Sequence, residues 1–124
     1  MTVTLCTAAQ ALLAIGENAS ANQILEANTT IWINYAESDM EKAFGKLGSS
    51  PALVTNYATI NADYKQWLAM VCSHRAAFYA INQNQNSWQL ATAESKLAVI
   101  DSIWTGFLSD LKEQSSEIVT EMNL

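Results

Sequence analysis

Glycine and proline are scarce in this sequence, and their positions leave long stretches that neither residue interrupts. The chain of 124 residues contains four glycines and one proline. Gly16, Gly45, Gly48 and Pro51 lie in the first half, and Gly106 stands alone in the second. Glycine and proline are the residues that most often end helices and begin turns. Their distribution therefore predicts an all-α protein.

Between these breaks, apolar residues recur three and four positions apart, which is the spacing of a helix with one buried face. The first stretch is short, with Thr4 as its expected N-cap and Gly16 at its end. Three longer stretches follow, and we expect all four to pack as a bundle of about four helices. The predicted helices span residues 4–15, 21–44, 61–81 and 92–111.

The same spacing predicts which face of each helix is buried. The expected face of the first helix consists of Cys6, Ala9, Leu12 and Leu13. The expected face of the last helix consists of Leu97, Ile100, Ile103, Trp104, Phe107, Leu108 and Leu111. Together these faces supply the core of one domain over residues 1–112.

The residues after 112 still contain apolar side chains at helical spacing. They are Ile118, Val119, Met122 and Leu124. Segment 113–124 is expected to be either an extension of the last helix or a C-terminal arm that becomes ordered on a partner.

Charge excludes several classes of function. The net charge is −6, and the six basic residues are scattered, so tight binding of DNA or RNA is not expected. Charged residues make up 15% of the chain, against about 25% in an average soluble domain. A surface so poor in charge is either covered by a partner or simply unusual in composition. No apolar run approaches the length of a membrane span.

The residues that could carry chemistry do not form a recognisable constellation. Cys6 and Cys72 with the single histidine, His74, cannot supply a zinc site, and two buried free thiols are expected instead. His74 lacks a nearby nucleophile and an orienting carboxylate, so we expect it at a surface or interface. Arg75 is expected to pair with a carboxylate. We therefore expect no enzyme, no cofactor and no metal site.

Three carboxylates at alternate positions, Glu37, Asp39 and Glu41, are the only candidate cluster for a divalent ion. Alternate positions on a helix point about 200° apart, so the three side chains do not converge. We expect them to form a solvated face.

Four tryptophans are present, and three of them fall on apolar faces. Trp32, Trp67 and Trp104 are expected in the core. Trp88 differs because it lies in the polar segment 82–89, NQNQNSWQ, which is a predicted loop. It either anchors an interface or folds back onto the helices.

The order of these elements also resembles a known family. A short helix ends in the turn IGENASANQ, and the long helix ILEANTTIWINYAESDMEKAFG follows. The helix ADYKQWLAMVCSHRAAFYAIN is rich in aromatic residues and carries an arginine near its middle, and AESKLAVIDSIWTGFLSDL closes the bundle. Over about residues 3–112 this pattern resembles the small head–tail connector proteins, or adaptors, of tailed bacteriophages. The matching residues are Leu13, Ile15, Gly16, Glu17, Ile33, Ala36, Glu37, Glu41, Phe44, Gly45, Trp67, Leu68, Arg75 and Tyr79.

The resemblance implies a structural virion protein in the head–tail neck, assembled in the host cytoplasm. Its expected form is a homo-oligomeric ring of twelve copies that extends the DNA channel below the portal and docks the next neck or tail protein. DNA would pass through without specific binding. Terminal arms in the family bind the portal, so the portal-binding candidates are Ile118, Val119, Met122 and Leu124. A small soluble helical interaction or regulatory module that forms a homodimer is the alternative.

Overall fold

The computed structural model describes residues 4–16, 26–45, 53, 56–83 and 90–121. All regular structure in these ranges is helical, which confirms the prediction of an all-α bundle of about four helices. A 3₁₀ turn, η1, covers Tyr57–Thr59 within the segment that the sequence predicts to be a connection. No helix in the described ranges is long and apolar enough to cross a membrane. The α-helices are α1 (Ala8–Ile15), α2 (Glu26–Gly45), α3 (Ala62–Gln83) and α4 (Leu90–Glu121).

Helix α3 is the centre of the bundle. It packs against α1, α2 and α4, whereas α2 and α4 touch only slightly. A helix with three neighbours must be apolar on more than one side, and α3 is. Its buried residues include three alanines, which let the neighbouring helices come close. They are Leu68, Val71, Cys72, Ser73, Ala76, Ala77, Ala80 and Ile81.

Helix α1 begins later than the sequence predicts, because Thr7 and not Thr4 is its N-cap. The Gln10 backbone N–H donates to the Thr7 hydroxyl at 3.1 Å, and the Thr7 backbone N–H donates to Gln10 Oε1 at 2.9 Å. This reciprocal capping box fixes the start of the helix. Gly16 ends it with φ +95°, a value that favours glycine, as its position predicts.

The predicted buried face of α1 is wrong in part. Leu13 is 82% exposed and Ala9 is exposed, whereas Ala11, Ala14 and Ile15 are buried. Both sets have helical spacing, so the period alone does not choose between them. The small side chains of Ala11 and Ala14 allow α1 to lie close to its neighbours, and the larger Leu13 remains outside.

Helix α4 continues beyond the predicted end at Leu111. Gln114 has non-helical backbone angles (φ −128°, ψ 27°), and the helix resumes after it as far as Glu121. Ile118 is 4% exposed and belongs to the core. Of the two alternatives for segment 113–124, the described residues 113–121 therefore form an extended last helix.

An aromatic cluster joins α3 to α4. The ring of Phe107 lies 5.2 Å from the rings of both Trp67 and Trp104, centroid to centroid. The two tryptophans are half-buried and pack against the core, and Trp32 of α2 is buried. Of the three tryptophans expected in the core, Trp32 is therefore in it, and Trp67 and Trp104 pack against its edge.

The two adjacent residues Phe107 and Leu108 should differ sharply on truncation, although both lie on the predicted apolar face. Phe107 is 2% exposed and Leu108 is 41% exposed. We expect Phe107→Ala to lower the free energy of unfolding by about 3–5 kcal/mol, because a buried ring is lost and a cavity remains. The control, Leu108→Ala, should cost less than about 1 kcal/mol. Urea denaturation followed by circular dichroism measures both; equal losses would contradict this packing.

Candidate functional site

One buried carboxylate, that of Glu37, fastens residues 4–7, called here the N-terminal segment, to the bundle. Glu37 is 5% exposed, and its Oε2 accepts hydrogen bonds from the backbone N–H groups of Thr4 and Leu5, both at 2.7 Å. Bonds from N–H groups to a charged acceptor are short and stronger than neutral ones. They stabilise a charge that burial would otherwise disfavour. Leu5 and Cys6 are thereby held in the core.

The expectation that Glu37, Asp39 and Glu41 form a solvated face is wrong for the first two. Glu37 is directed toward the N-terminal segment, and Asp39 bonds with residues of α3. The three side chains do not converge, as the spacing predicts. Within the described ranges, no three His, Cys, Asp or Glu side chains come together as a metal site.

Arg75 and Asp39 join three helices through one polar and aromatic cluster. The Arg75 Nε donates to Asp39 Oδ2 at 2.9 Å, which confirms that Arg75 pairs with a carboxylate. The Tyr79 hydroxyl donates to the same oxygen at 2.5 Å. The guanidinium carbon lies 4.5 Å from the Trp104 ring centroid on α4 and 4.8 Å from that of Phe78. An arginine can do this because its planar cation pairs and stacks at once.

The two thiols lie inside the bundle. Cys6 and Cys72 are both buried and free, as predicted. A hydrogen bond to the Cys6 thiol, burial and the nearby Glu37 charge all raise the pKa of Cys72. Because the thiolate is the nucleophile, a raised pKa disfavours a catalytic role for Cys72.

His74 lies on a cleft and not beside Cys72. Its Nδ1 is 2.8 Å from the Met70 carbonyl oxygen of its own helix, so Nδ1 is assigned a proton that it donates to this oxygen. The cleft, of about 580 Å³, is formed by the N-terminal segment, α1, η1 and one stripe of α3. His74 is only partly buried there, at a surface position as predicted.

The other predicted site residues divide into two groups. Ile118 packs in the core, so in this conformation its side chain has an intramolecular role. Trp88, Met122 and Leu124 lie outside the described residues, as does the side chain of Val119.

The structural roles of Glu37 and Asp39 are what the sequence reasoning missed. For Glu37 a signal was present: with Ile33, Ala36 and Met40 it shares the i, i+3, i+4, i+7 spacing of one helix face. That face is the buried face of α2, on which those three residues are fully buried. A carboxylate on such a stripe must find hydrogen-bond donors inside the protein.

Comparisons with protein-family models, with curated proteins and with solved structures found no match for this chain. The resemblance to phage connectors therefore rests on the pattern of helices and residues in the sequence.

Replacing Glu37 by Gln keeps the shape of the side chain and removes its charge. We expect Glu37→Gln to lower the free energy of unfolding by about 1–2 kcal/mol, because two charge-assisted hydrogen bonds become neutral ones. Amide hydrogen exchange at Thr4 and Leu5 should become faster. The same change at the exposed Glu94 is the control and should alter neither quantity. Identical behaviour of the two variants would contradict the role of Glu37.

The Tyr79 hydroxyl should ionise late in an alkaline titration. Burial, followed by its hydrogen bond to Asp39, raises the pKa of Tyr79 above its ordinary 10.0. The neutral hydroxyl therefore contributes stability that is fully present below pH 10.0 and is lost as pH rises through the folded-state pKa. Ultraviolet absorbance of tyrosinate measures this. The part of the absorbance change that appears at the highest pH should be absent from Tyr79→Phe and present in Tyr35→Phe. If it persists in Tyr79→Phe, the raised pKa does not belong to Tyr79.

Proposed function

We propose that this protein is a structural component of a tailed bacteriophage virion, a head–tail connector or adaptor. It forms a ring of twelve copies under the portal, extends the DNA channel and docks the next neck or tail protein. The observation that carries the proposal is that residues bearing the family resemblance also make the contacts that order the bundle. Glu37 holds the N-terminal segment, and Arg75 and Tyr79 meet Asp39 between α2 and α3.

Two further matching positions have comparable roles. Gly16 ends α1 in a backbone conformation suited to glycine, and Trp67 packs on Phe107 of α4. A pattern of weakly specific letters gains support when its letters occupy positions that determine how helices meet.

The charge of the chain suits a DNA channel. A net charge of −6 per copy gives a ring an acidic character, which repels phosphates and lets DNA slide. A low content of charged residues suits contacts between identical subunits, where like charges would otherwise face each other. We propose no catalytic role, since Cys72 is buried with a raised pKa and His74 lies elsewhere.

The portal contact is proposed for the end of the chain. Ile118 holds the last turns of α4 to the core, so the contact falls mainly to Val119, Met122 and Leu124, which follow it. Trp88 remains the proposed interface residue of segment 82–89.

A soluble helical module that forms a homodimer is the second candidate, and one observation favours it. Leu13 is 82% exposed, and together with Ala9, Leu12 and Gly16 it borders an apolar depression on the surface of α1. An apolar patch of this kind can pair with its own copy across a two-fold axis.

Particle mass separates the two candidates. We expect the chain, mixed with the portal protein encoded in the same genome, to enter a complex whose added mass is twelve times 13.6 kDa. Mass photometry and negative-stain images measure this. A stable dimer that leaves the portal unchanged would favour the homodimeric module and contradict the connector.

Removing Met122–Leu124 tests the portal contact without disturbing the described fold. Truncation after Glu121 keeps Ile118 in place, whereas truncation after Lys112 removes a core residue and confuses loss of folding with loss of contact. We expect the shorter truncation to weaken portal binding at least tenfold, because apolar side chains are lost from the interface. Asn123→Ser is the control and should bind normally. Full portal affinity of the truncated chain would exclude this arm.

A further inference from the structure

The cleft beside α1 differs from the rest of the molecule in charge. The chain has twice as many acidic as basic residues, yet no carboxylate is among the described residues that line the cleft. Its basic lining groups are Lys65 and His74, and its other titratable groups, Cys6 and Tyr57, carry no carboxylate. The nearby Glu37 carboxylate lies behind the N-terminal segment, where two backbone amides already bind one of its oxygens.

The rim of the same cleft is apolar and exposed. Leu13 of α1 is 82% exposed, and Met70 of α3 is 44% exposed. Gln66 lies on the same stripe of α3, is exposed and provides an amide for hydrogen bonding. A partner that fits this surface combines apolar side chains with negative charge.

One face of α4, called here the outer face and defined by Val99, Gly106, Asp110 and Glu113, has that chemistry. Its apolar member, Val99, is 60% exposed. A side chain added at Gly106 would meet open space, so a neighbour can approach the backbone there. Lys112 is the basic residue among the exposed described positions of α4. The exposed acidic residues of this face are Asp110 and Glu113, which follow Val99 and Gly106 at helical spacings of seven, four and three residues.

The cleft and the outer face of α4 lie on different flanks of α3. Trp67 contacts Phe107 of α4, whereas Ala69, two residues later, lines the cleft. Positions two apart on a helix point about 200° from each other. One copy can therefore use its cleft and its α4 face for two different neighbours at the same time.

We propose that the cleft of one copy receives the outer face of α4 from the next copy. Lys65 and His74 then face Asp110 and Glu113 of α4, and Leu13 and Met70 meet Val99. Contacts between two different patches are head-to-tail, and such contacts form a ring when the rotation between copies closes, whereas self-complementary patches produce dimers. This inference deepens the proposed connector function and rests on the ring that it requires.

Complementary charge reversal tests the pairing directly. The cleft variant is Lys65→Glu with His74→Glu, and the α4 variant is Asp110→Lys with Glu113→Lys. Each variant alone should lose the assembled state, because like charges then face each other at every contact. In an equimolar mixture each reversed patch meets its reversed partner and each native patch meets its native partner. The mixture should therefore regain the wild-type assembled mass in sedimentation velocity with portal present.

Two single variants accompany this test. One is a control for the change of charge, and the other tests the apolar contact in a chain that stays folded. Lys42→Glu makes the same change at an exposed residue outside the cleft and should assemble normally. Leu13→Gln alters an exposed side chain, should keep the wild-type circular dichroism and thermal unfolding, and should lose assembly.

The outcomes separate this inference from the proposed function. Wild-type protein that forms no ring with portal contradicts both. A ring that survives in either charge-reversed variant alone, or a mixture that stays unassembled while both variants are folded and Lys42→Glu assembles, overturns the pairing only.

Discussion

The pair of hydrogen bonds that Glu37 accepts from two backbone amides is the interaction on which the surface beside α1 depends. It attaches the N-terminal segment to α2 and so helps to hold Leu5 and Cys6 in the core. The cleft exists because this segment lies across the bundle and forms one of its walls. A single buried charge thus determines both a part of the core and the shape of the most distinctive surface.

A second polar contact coordinates the helices themselves. Asp39 of α2 accepts from both Arg75 and Tyr79 of α3, while the Arg75 guanidinium packs against Trp104 of α4. Helices α2 and α4 touch only slightly, so this arginine links two elements that apolar packing leaves apart. Apolar contacts are weakly directional, whereas a bonded and stacked guanidinium accepts few arrangements. The cluster therefore specifies how the helices are rotated about their axes.

The helical class, the positions of the long helices and the burial of Trp32, Cys6 and Cys72 could be predicted, because periodicity and the rarity of glycine and proline are local signals. The burial of Ala14 in place of Leu13 could not, because it depends on how closely α1 approaches its neighbours. The roles of Glu37 and Asp39 depend on partners more than thirty residues away in the chain. The sequence predicts that Arg75 pairs with a carboxylate, but only the fold shows that this carboxylate is Asp39.

The non-helical backbone angles of Gln114 place a kink in α4 close to its end. A helix is stabilised from turn to turn, so a residue with non-helical angles uncouples the turns on either side of it. Beyond this kink, Ile118 is the described residue that packs the final turns against the core. The turns beyond Gln114 therefore depend on side-chain packing, that of Ile118 included, and not only on helical continuity for their position against the core.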